Sequence, residues 1–268
     1  MKNGNKHLLL CVVTVGLLIG SVRNAAAVTH GQLDGNHHPY VGMLIFDVGG
    51  EPALLCSGAL IAPTVVLTAG HCTSGEGENV SGGRIWFDSS VADPRGSGGT
   101  SIEFASIYTD PAFCMGCGKG LPGFDSQDVG IVILSKPVID RGFAVLPSPG
   151  FVDALPMKSE VTIVGYGTQT QTRGIPPHEW QLDGNRYFAP TQLFQSNDVF
   201  KAEFIKLSAN PSQGKGGICF GDSGGPDLVG NIIVGVNAFV VTLQCTGVTY
   251  SSRVDTPDAL AFINSFLH

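Results

Sequence analysis

The 268-residue chain has a formal net charge of −7, only 14% charged residues, and 37 glycines with 16 prolines. This composition favours many short strands joined by turns and argues against a helical protein. The acidic charge argues against binding to nucleic acids or to anionic membranes.

Residues 1–27 have the features of an export signal. Lys2 and Lys6 precede an apolar run from Leu8 to Gly20, and small residues follow at Ala25–Ala27. This order of basic, apolar and small segments is that of a secretory signal peptide with its cleavage site. We therefore expect a protein that is secreted, either out of the cell or into the periplasm.

The predicted mature chain begins at Val28 and carries no membrane anchor. The apolar run of the signal is too short to span a bilayer. Lipid anchoring would need a cysteine just after the cleavage site, whereas Cys11 lies within the apolar run. Cleavage removes three basic residues and no acidic one, so the formal charge becomes −10.

Strand-like runs separated by turn residues recur along the mature chain. They are YVGMLIF (40–46), TVVLTA (64–69), GRIWFD (83–88), IEFASIYT (102–109), DVGIVIL (128–134), EVTIVGYG (160–167), VFKAEFIKL (199–207), NIIVGVNAFV (231–240) and VTYSSRV (248–254). Lys201 and Glu203 alternate with apolar residues, which predicts one face in water. The runs around Val129 and Ile232 lack such alternation and predict strands buried on both faces. We expect an all-β fold, either a sandwich or a barrel.

One helix is predicted, at the end of the chain. Thr256 suits the N-cap and Pro257 suits the first helical position. Apolar residues then recur at helical spacing, namely Ala259, Leu260, Ile263 and Leu267. An amphipathic helix is therefore expected to close the β-protein.

Three segments rich in glycine, serine and acidic residues predict surface loops, at 73–83, 93–101 and 116–127. The segment 144–156 contains several prolines, which suits a linker. We therefore expect two parts in the mature domain, at about 28–145 and about 146–268.

The mature chain contains six cysteines, and in an exported protein an even number predicts three disulfides. They are Cys56, Cys72, Cys114, Cys117, Cys219 and Cys245. Fifteen pairings are conceivable from the sequence alone. The CMGC sequence at 114–117 is typical of a redox or metal motif, but an exported chain without a βαβ pattern favours a local disulfide there.

Ser223, in the glycine-rich stretch GGICFGDSGGP (216–226), is a candidate nucleophile. A serine hydroxyl needs a base within hydrogen-bond reach, and that base needs an orienting group. His71 is the best candidate base, because it follows a β-branched strand and precedes Cys72, whose bridge to Cys56 would fix its backbone. The other histidines lie in the signal, at the chain end, or in polar or proline-containing surroundings.

Asp128 is the candidate for the orienting acid. It leads directly into the apolar strand DVGIVIL, and a buried carboxylate is costly unless it is paired. The three candidates belong to the motifs LTAGHC, DVGIVIL and GDSGGP, with separations of 57 and 95 residues. In this order and spacing the motifs resemble the trypsin/chymotrypsin family of serine endopeptidases, and the resemblance covers essentially the whole mature chain.

The resemblance implies two six-stranded antiparallel β-barrels with the active site between them. It implies an endopeptidase that works through an acyl-enzyme and needs no metal or cofactor. His71 would be the general base, Asp128 its orienter and Ser223 the nucleophile. The backbone N–H groups of Gly221 and Ser223 would form the oxyanion hole, and a glycine at 221 leaves the approach to its N–H open.

The resemblance also implies a role for Asp222, which pairs in this family with the amine of the mature N-terminus. VTHG, Val28 to Gly31, matches the family's mature start. No Arg or Lys stands directly before Val28, and a signal-peptidase site occupies the same bond. We therefore expect export itself to release the activating amine, with no zymogen.

The predicted specificity pocket is apolar and resembles that of the neutrophil-elastase branch. Where trypsin-like members have an acid six residues before the nucleophile, this chain has Gly217, so a buried Arg or Lys would stay unpaired. The resemblance gives four further pocket residues, Ile218, Phe220, Phe239 and Val240. A small or medium apolar residue before the cut, such as Val, Ala or Leu, is expected.

The resemblance implies the disulfides Cys56–Cys72 and Cys219–Cys245, and leaves Cys114–Cys117 as the local pair. It also implies polypeptide substrates, protein inhibitors as partners, and a monomer. Ala238 departs from the family, which has a serine there that bonds the buried acid, so we expect Asp128 to be held differently.

Other functions stay open at this stage. A catalytically silent homologue would use the same scaffold as a binding protein, and an esterase would use the same triad. In GEGEN (75–79), Glu76 and Glu78 suit either calcium or a solvated acidic loop, and the loop is favoured because no spaced ligand set accompanies them. NVS (79–81) is an N-glycosylation sequence in a eukaryotic secretory pathway.

Overall fold

A computed structural model describes residues 28–92, 99–117, 125–168, 182–194 and 202–267. The strands in these residues are β1 Gln32–Leu33, β2 Val41–Val48, β3 Glu51–Ala62, β4 Val65–Thr68, β5 Val80–Trp86, β6 Ile102–Thr109, β7 Gly130–Leu134, β8 Glu160–Gly165, β9 Tyr187–Phe194, β10 Phe204–Ala209, β11 Pro226–Val229, β12 Ile232–Val240 and β13 Gly247–Arg253. The helices are α1 Gly70–Ser74 and α2 Pro257–Asn264, with 3-10 turns at Gly75–Gly77, Val152–Ala154 and Pro211–Gln213.

Strands β2 to β7 close the first barrel. They are antiparallel neighbours in the order β2-β3-β4-β7-β6-β5, and β5 pairs back to β2. Large apolar side chains are buried inside this barrel or against its outer face, among them Met43, Leu44, Phe46, Leu60, Leu67, Ile85 and Ile131. Each such side chain stabilises the fold by about 1.5–3 kcal/mol when it leaves water.

Strands β8 to β13 close the second barrel. Their order is β8-β9-β10-β13-β12-β11, and β11 pairs back to β8. The short strand β1 pairs with the first two residues of β9. Its core contains Val28, Ile163, Ala189, Leu193, Ile205, Leu207 and Val234. The expected all-β architecture of two six-stranded antiparallel barrels is confirmed.

Several strands differ from the sequence prediction. Strands β3, β9 and β11 were not predicted, although β3 has 12 residues. The run at 199–207 was predicted as one strand, but Ala202 and Glu203 form a turn and β10 begins only at Phe204. The predicted alternation around Glu203 is therefore wrong for the described part of that run, and residues 199–201 lie outside the described residues.

The C-terminal helix is confirmed. The Thr256 side chain accepts a hydrogen bond from the N–H of Ala259, Pro257 stands in the first turn, and Leu260 and Ile263 are buried. The predicted loop at 73–83 is only partly correct, because it contains the end of α1, a 3-10 turn and the start of β5. The loops at 93–101 and 116–127 fall partly outside the described residues.

Arg186, just before β9, joins the two barrels. Its guanidinium is fully buried and donates to the carbonyl oxygens of Val41 at 2.9 Å and Phe87 at 3.1 Å, both in the first barrel region. Nε donates to the Asp34 carboxylate at 2.8 Å, and Nη1 donates to the Tyr166 hydroxyl at 3.1 Å. A buried guanidinium with this many acceptors fixes the barrels to each other and to the N-terminal segment.

Candidate active site

His71 lies in the short helix α1, directly after β4. The Cys56–Cys72 disulfide ties this helix to β3, as expected. A Cβ on Gly70 would come within 3.0 Å of the Val129 backbone nitrogen, so the glycine lets α1 pack directly against the segment that carries Asp128. The fold thereby brings together two residues that are 57 positions apart.

Asp128 holds His71 through two contacts. The backbone N–H of His71 donates to Oδ1 at 2.7 Å, and Nδ1 lies 2.8 Å from Oδ2. Since the buried carboxylate is an acceptor, Nδ1 carries the proton, and in the neutral ring Nε2 is then the basic nitrogen. Both oxygens of the Asp128 carboxylate therefore accept a hydrogen bond from His71. Ala238, where the family has a serine, has no hydroxyl to donate another.

Ser223 shares a cavity with His71 at the junction of the barrels. The cavity has a volume of about 530 Å³. A second cavity of about 250 Å³ meets the first at His71, Phe220 and Ser223. The first is lined by His71, Met115, Asp125, Ile218, Cys219, Phe220, Ser223, Ala238, Phe239, Val240, Val241, Thr242 and Leu243. The second is lined by Leu54, Leu55, Cys56, His71, Cys72, Thr168, Leu182, Phe220, Gly221 and Ser223.

Four of the five predicted pocket residues, Ile218, Phe220, Phe239 and Val240, line the larger cavity. Gly217 does not line it. A Cβ at 217 would lie 2.5 Å from the Cβ of Ala209, so this position faces the second barrel's interior. The residues that line the larger cavity therefore do not include Gly217, which was predicted as a pocket residue.

Sequence reasoning missed several side chains that line the cavity. Met115, from the loop closed by Cys114–Cys117, and Leu243, after β12, are 47% and 68% exposed and extend the apolar lining. Val241 and Thr242 add to the same wall. No local motif marks them, because the loops that carry them meet only in the folded chain.

Asp222 is fully buried behind the cavity. Its Oδ1 accepts from the Gly167 N–H at 2.8 Å and its Oδ2 from the Cys219 N–H at 2.8 Å. Burial raises the pKa of Asp222 to about 7, and the hydrogen bonds from the N–H groups of Gly167, Cys219 and Val28 offset only part of the rise. The carboxyl therefore lacks a charged partner while Val28 is in peptide linkage.

Val28 itself is fully buried in the second barrel's core. The next residue, Thr29, donates its hydroxyl to the carbonyls of Gly217 at 3.2 Å and Cys245 at 2.9 Å. Farther along, β1 pairs with β9, and the Asp34 N–H donates to the Arg186 carbonyl at 2.9 Å. These contacts hold the start of the predicted mature chain so that the backbone N–H of Val28 bonds the Asp222 carboxyl.

The structure contains the three expected disulfides, Cys56–Cys72, Cys114–Cys117 and Cys219–Cys245. His71 and the sulfurs of Cys56 and Cys72 lie within 4.8 Å of one another. The two sulfurs are bonded to each other, so neither is a thiolate available to a metal. In the GEGEN segment, Gly75–Gly77 forms a 3-10 turn and Glu78 is exposed.

The sequence model of the Trypsin family matches residues 28–259. The chain belongs to the trypsin family of serine endopeptidases. It is similar to a trypsin of Saccharopolyspora erythraea, 26% identical over 213 residues that cover 75% of this chain and 81% of that protein. It is also similar to a trypsin-like protease of Streptomyces glaucescens, 28% identical over 196 residues that cover 67% of this chain and 65% of that protein.

Solved structures share the trypsin-family fold. HL collagenase superposes with a TM-score of 0.66 at 19% identity, covering 86% of this chain and 94% of that one. Human heparin binding protein gives a TM-score of 0.64 at 17% identity, covering 88% and 95%. As in the expectation from sequence, this trypsin-family chain is a chymotrypsin-like hydrolase. Among the described residues, no helix combines the length and apolar character that a membrane crossing requires.

Proposed function

We propose that the protein is a secreted endopeptidase in which His71, Asp128 and Ser223 form the catalytic triad. The observation that carries the proposal is the pair of Asp128 contacts to His71, at 2.7 and 2.8 Å, beside a cavity that His71 shares with Ser223. With Nδ1 donating to Asp128, Nε2 is the ring nitrogen that can accept a proton, as a general base requires.

The reaction follows from these roles. Nε2 of His71 takes the proton of the Ser223 hydroxyl as Oγ attacks the scissile carbonyl carbon, and a tetrahedral intermediate forms. His71 then returns the proton to the leaving amine as the C–N bond breaks, which leaves an acyl-enzyme. Water then attacks the acyl-enzyme in the same way, with His71 as the base, and the carboxylic acid product is released. Asp128 stabilises the imidazolium in both halves of the reaction.

The N–H groups of Gly221 and Ser223 are proposed to bind the oxyanion. Gly221 has φ +94°, and a Cβ there would lie 2.8 Å from Cδ2 of Leu55 and 3.0 Å from Cα of Gly167. Only glycine fits this backbone and this space. The resulting turn supports a pair of N–H donors beside the nucleophile.

Cleavage before Val28 is proposed to complete the site. The Val28 N–H already bonds the buried Asp222 carboxyl. A free ammonium at the same position would form an ion pair with Asp222 and lower its pKa. Signal peptidase would then produce the active enzyme directly, without a zymogen. N-terminal sequencing of the secreted protein tests this step, and a start at any residue other than Val28 would contradict it.

The substrates are proposed to be polypeptides with a small or medium apolar residue before the cut. Ile218, Phe239 and Val240 line the larger cavity, and the side chains of Met115 and Leu243 extend its apolar lining. Protein inhibitors that present the same residue would bind the same cavity. The enzyme is proposed to act as a monomer.

A silent binding protein on the same scaffold is the competing function, since human heparin binding protein shares the fold. Labelling of the secreted protein with a fluorophosphonate separates the two, with Ser223→Ala and His71→Ala as controls. Labelling that both changes abolish supports the protease. A folded protein that begins at Val28 and stays unlabelled would overturn it. Matched peptide and ester substrates then distinguish the endopeptidase from an esterase.

A further inference from the structure

We infer that Ser57, on β3 of the first barrel, is a positioning residue for the oxyanion hole, a role that rests on the proposed function. Ser57 is fully buried. Its hydroxyl donates to the carbonyl of Gly221 at 2.9 Å, and its backbone N–H donates to the carbonyl of Ser223 at 2.7 Å. One residue thus holds both residues whose N–H groups are proposed to bind the oxyanion.

The direction of the Ser57 hydroxyl is fixed by its second contact. The Tyr166 N–H donates to Oγ of Ser57 at 3.0 Å, which occupies the oxygen as an acceptor. The single hydroxyl proton is then free to point at the Gly221 carbonyl. The Thr68 hydroxyl donates to the Ser57 carbonyl at 2.8 Å and holds the backbone of Ser57 in turn.

The contact matters because Gly221 has the backbone freedom of glycine. A trans peptide is planar, so its N–H and C=O groups point in opposite directions. The Thr168 N–H holds the Phe220 carbonyl at 2.7 Å, which directs the Gly221 N–H to the opposite side. The peptide that joins Gly221 to Asp222 links this donor to the donor of Ser223, and its carbonyl is the one that Ser57 holds.

Without the hydroxyl, the Gly221–Asp222 peptide would be held by its N–H, which donates to the Cys219 carbonyl at 3.0 Å, and its carbonyl would have no donor from β3. Rotation of that peptide changes ψ of Gly221 and φ of Asp222, and where the flanking peptides adjust to it, the two oxyanion donors no longer point at one position. Such a change lowers the stabilisation of the transition state and leaves substrate binding nearly unaltered.

The test compares Ser57→Ala with Tyr166→Phe in the mature secreted protein. We expect Ser57→Ala to lower the fluorophosphonate labelling rate and kcat about tenfold, with KM changed less than about twofold, because donors are misaligned and not removed. Tyr166→Phe removes a buried hydroxyl that contacts Arg186 and the Asp88 carbonyl but keeps the N–H bond to Ser57, so its labelling rate should equal that of the wild type even where its Tm falls.

A second readout does not depend on activity. In a crystal structure of Ser57→Ala, the Gly221 carbonyl should be rotated or should occupy two orientations. An unchanged carbonyl orientation, or a Ser57→Ala protein that labels at the wild-type rate, overturns the role of Ser57. If the wild type is not labelled at all, the protease proposal fails, and the carbonyl orientation in the two crystal structures still decides whether Ser57 holds this loop.

Discussion

Nε of Arg186 lies 2.8 Å from Oδ2 of Asp34, and neither side chain is exposed to solvent. Burial alone would raise the pKa of Asp34, but hydrogen bonds from His38 and Arg186 outweigh that effect and lower the pKa to about 2. An unfolded aspartate titrates near 3.9. The ionised carboxylate therefore stabilises the fold above about pH 4, and this contribution is lost as the pH falls toward 2.

Asp34→Asn should accordingly lower the free energy of unfolding at pH 7 by about 2 to 4 kcal/mol, since it leaves a buried guanidinium without its anion. The difference from the wild type should shrink between pH 4 and pH 2. Urea unfolding at pH 7, 4 and 2.5 measures both effects, with exposed Asp140→Asn as the matched change. A difference that stays the same at all three pH values would show that the charge of Asp34 is not involved.

Asp227, on β11 in the interior of the second barrel, has the opposite effect on stability. Neither of its oxygens accepts a well-formed hydrogen bond from the described residues. Burial raises its pKa to about 7, and the nearby Ser251 hydroxyl offsets only part of the rise. Because the folded pKa exceeds the unfolded one, Asp227 costs no stability below about pH 4, and its cost grows until the pH passes 7.

Replacement of Asp227 by Asn should therefore stabilise the protein at neutral and alkaline pH. The gain should rise from near zero at pH 4 to at most about 4 kcal/mol above pH 7, as the linkage of a three-unit pKa difference gives. The same urea titrations provide the values. A variant that is less stable than the wild type at pH 8 would mean that the carboxylate has a partner in solution that compensates its burial.

Asp128→Asn tests the orienting role. An amide at this position favours the wrong histidine tautomer, so kcat should fall on the order of 10⁴-fold while KM changes little. Asp110→Asn is a suitable control, because Asp110 is a buried carboxyl of the same barrel that accepts from the Ala112 N–H at 2.8 Å. Comparable losses of activity in the two variants would argue that His71 does not depend on Asp128 in particular.

Gly217→Asp should not create a trypsin-like pocket. Its Cβ would lie 2.5 Å from Cβ of Ala209 and 3.1 Å from the Cys245 carbonyl. Overpacking of this kind costs about 1–3 kcal/mol, so the variant should lose stability without gaining cleavage after Arg or Lys. Ala209→Gly in the same chain should recover part of the Tm. Efficient cleavage after Lys by the single variant would show that position 217 opens into the cavity.

Val240→Gly should widen the larger cavity. Val240 lines the cavity at the end of β12, and removal of its side chain makes room for a ring. The ratio of kcat/KM for Phe over Val before the cut should rise about tenfold, the scale of one or two methylene groups in a pocket. Peptide substrates that differ only at that residue provide the comparison, and an unchanged ratio would remove Val240 from the specificity pocket.

The elements with a strong local pattern were predictable. The run at 102–109 coincides with β6, and the Thr256 cap and Pro257 located the start of α2. Strand β9 was not predicted because Pro190 lies in its middle, and proline argues against a central strand. Strand β3 was missed since Ser57 and Gly58 interrupt its apolar residues.

The residues of the site also fall into a predictable group and an unpredictable one. His71, Asp128 and Ser223 belong to recognisable motifs, so their proximity was expected from the sequence. The contact between Ser57 and Gly221 spans 164 residues, and that between Asp34 and Arg186 spans 152. A lone serine in a strand or a lone arginine before one has no distinctive neighbours along the chain. Only the closure of the two barrels against each other makes these residues partners.

The position of Arg186 has a consequence for cooperativity. The residue precedes a strand of the second barrel, yet its guanidinium is an internal ligand for the carbonyls of Val41 and Phe87. Separation of the barrels would break these two hydrogen bonds and expose to water the apolar residues of both barrels that share one core cluster, which costs several kcal/mol. We therefore expect the two barrels to unfold together. The calorimetric and van't Hoff enthalpies of thermal unfolding should coincide, with one heat-absorption peak for the whole enzyme.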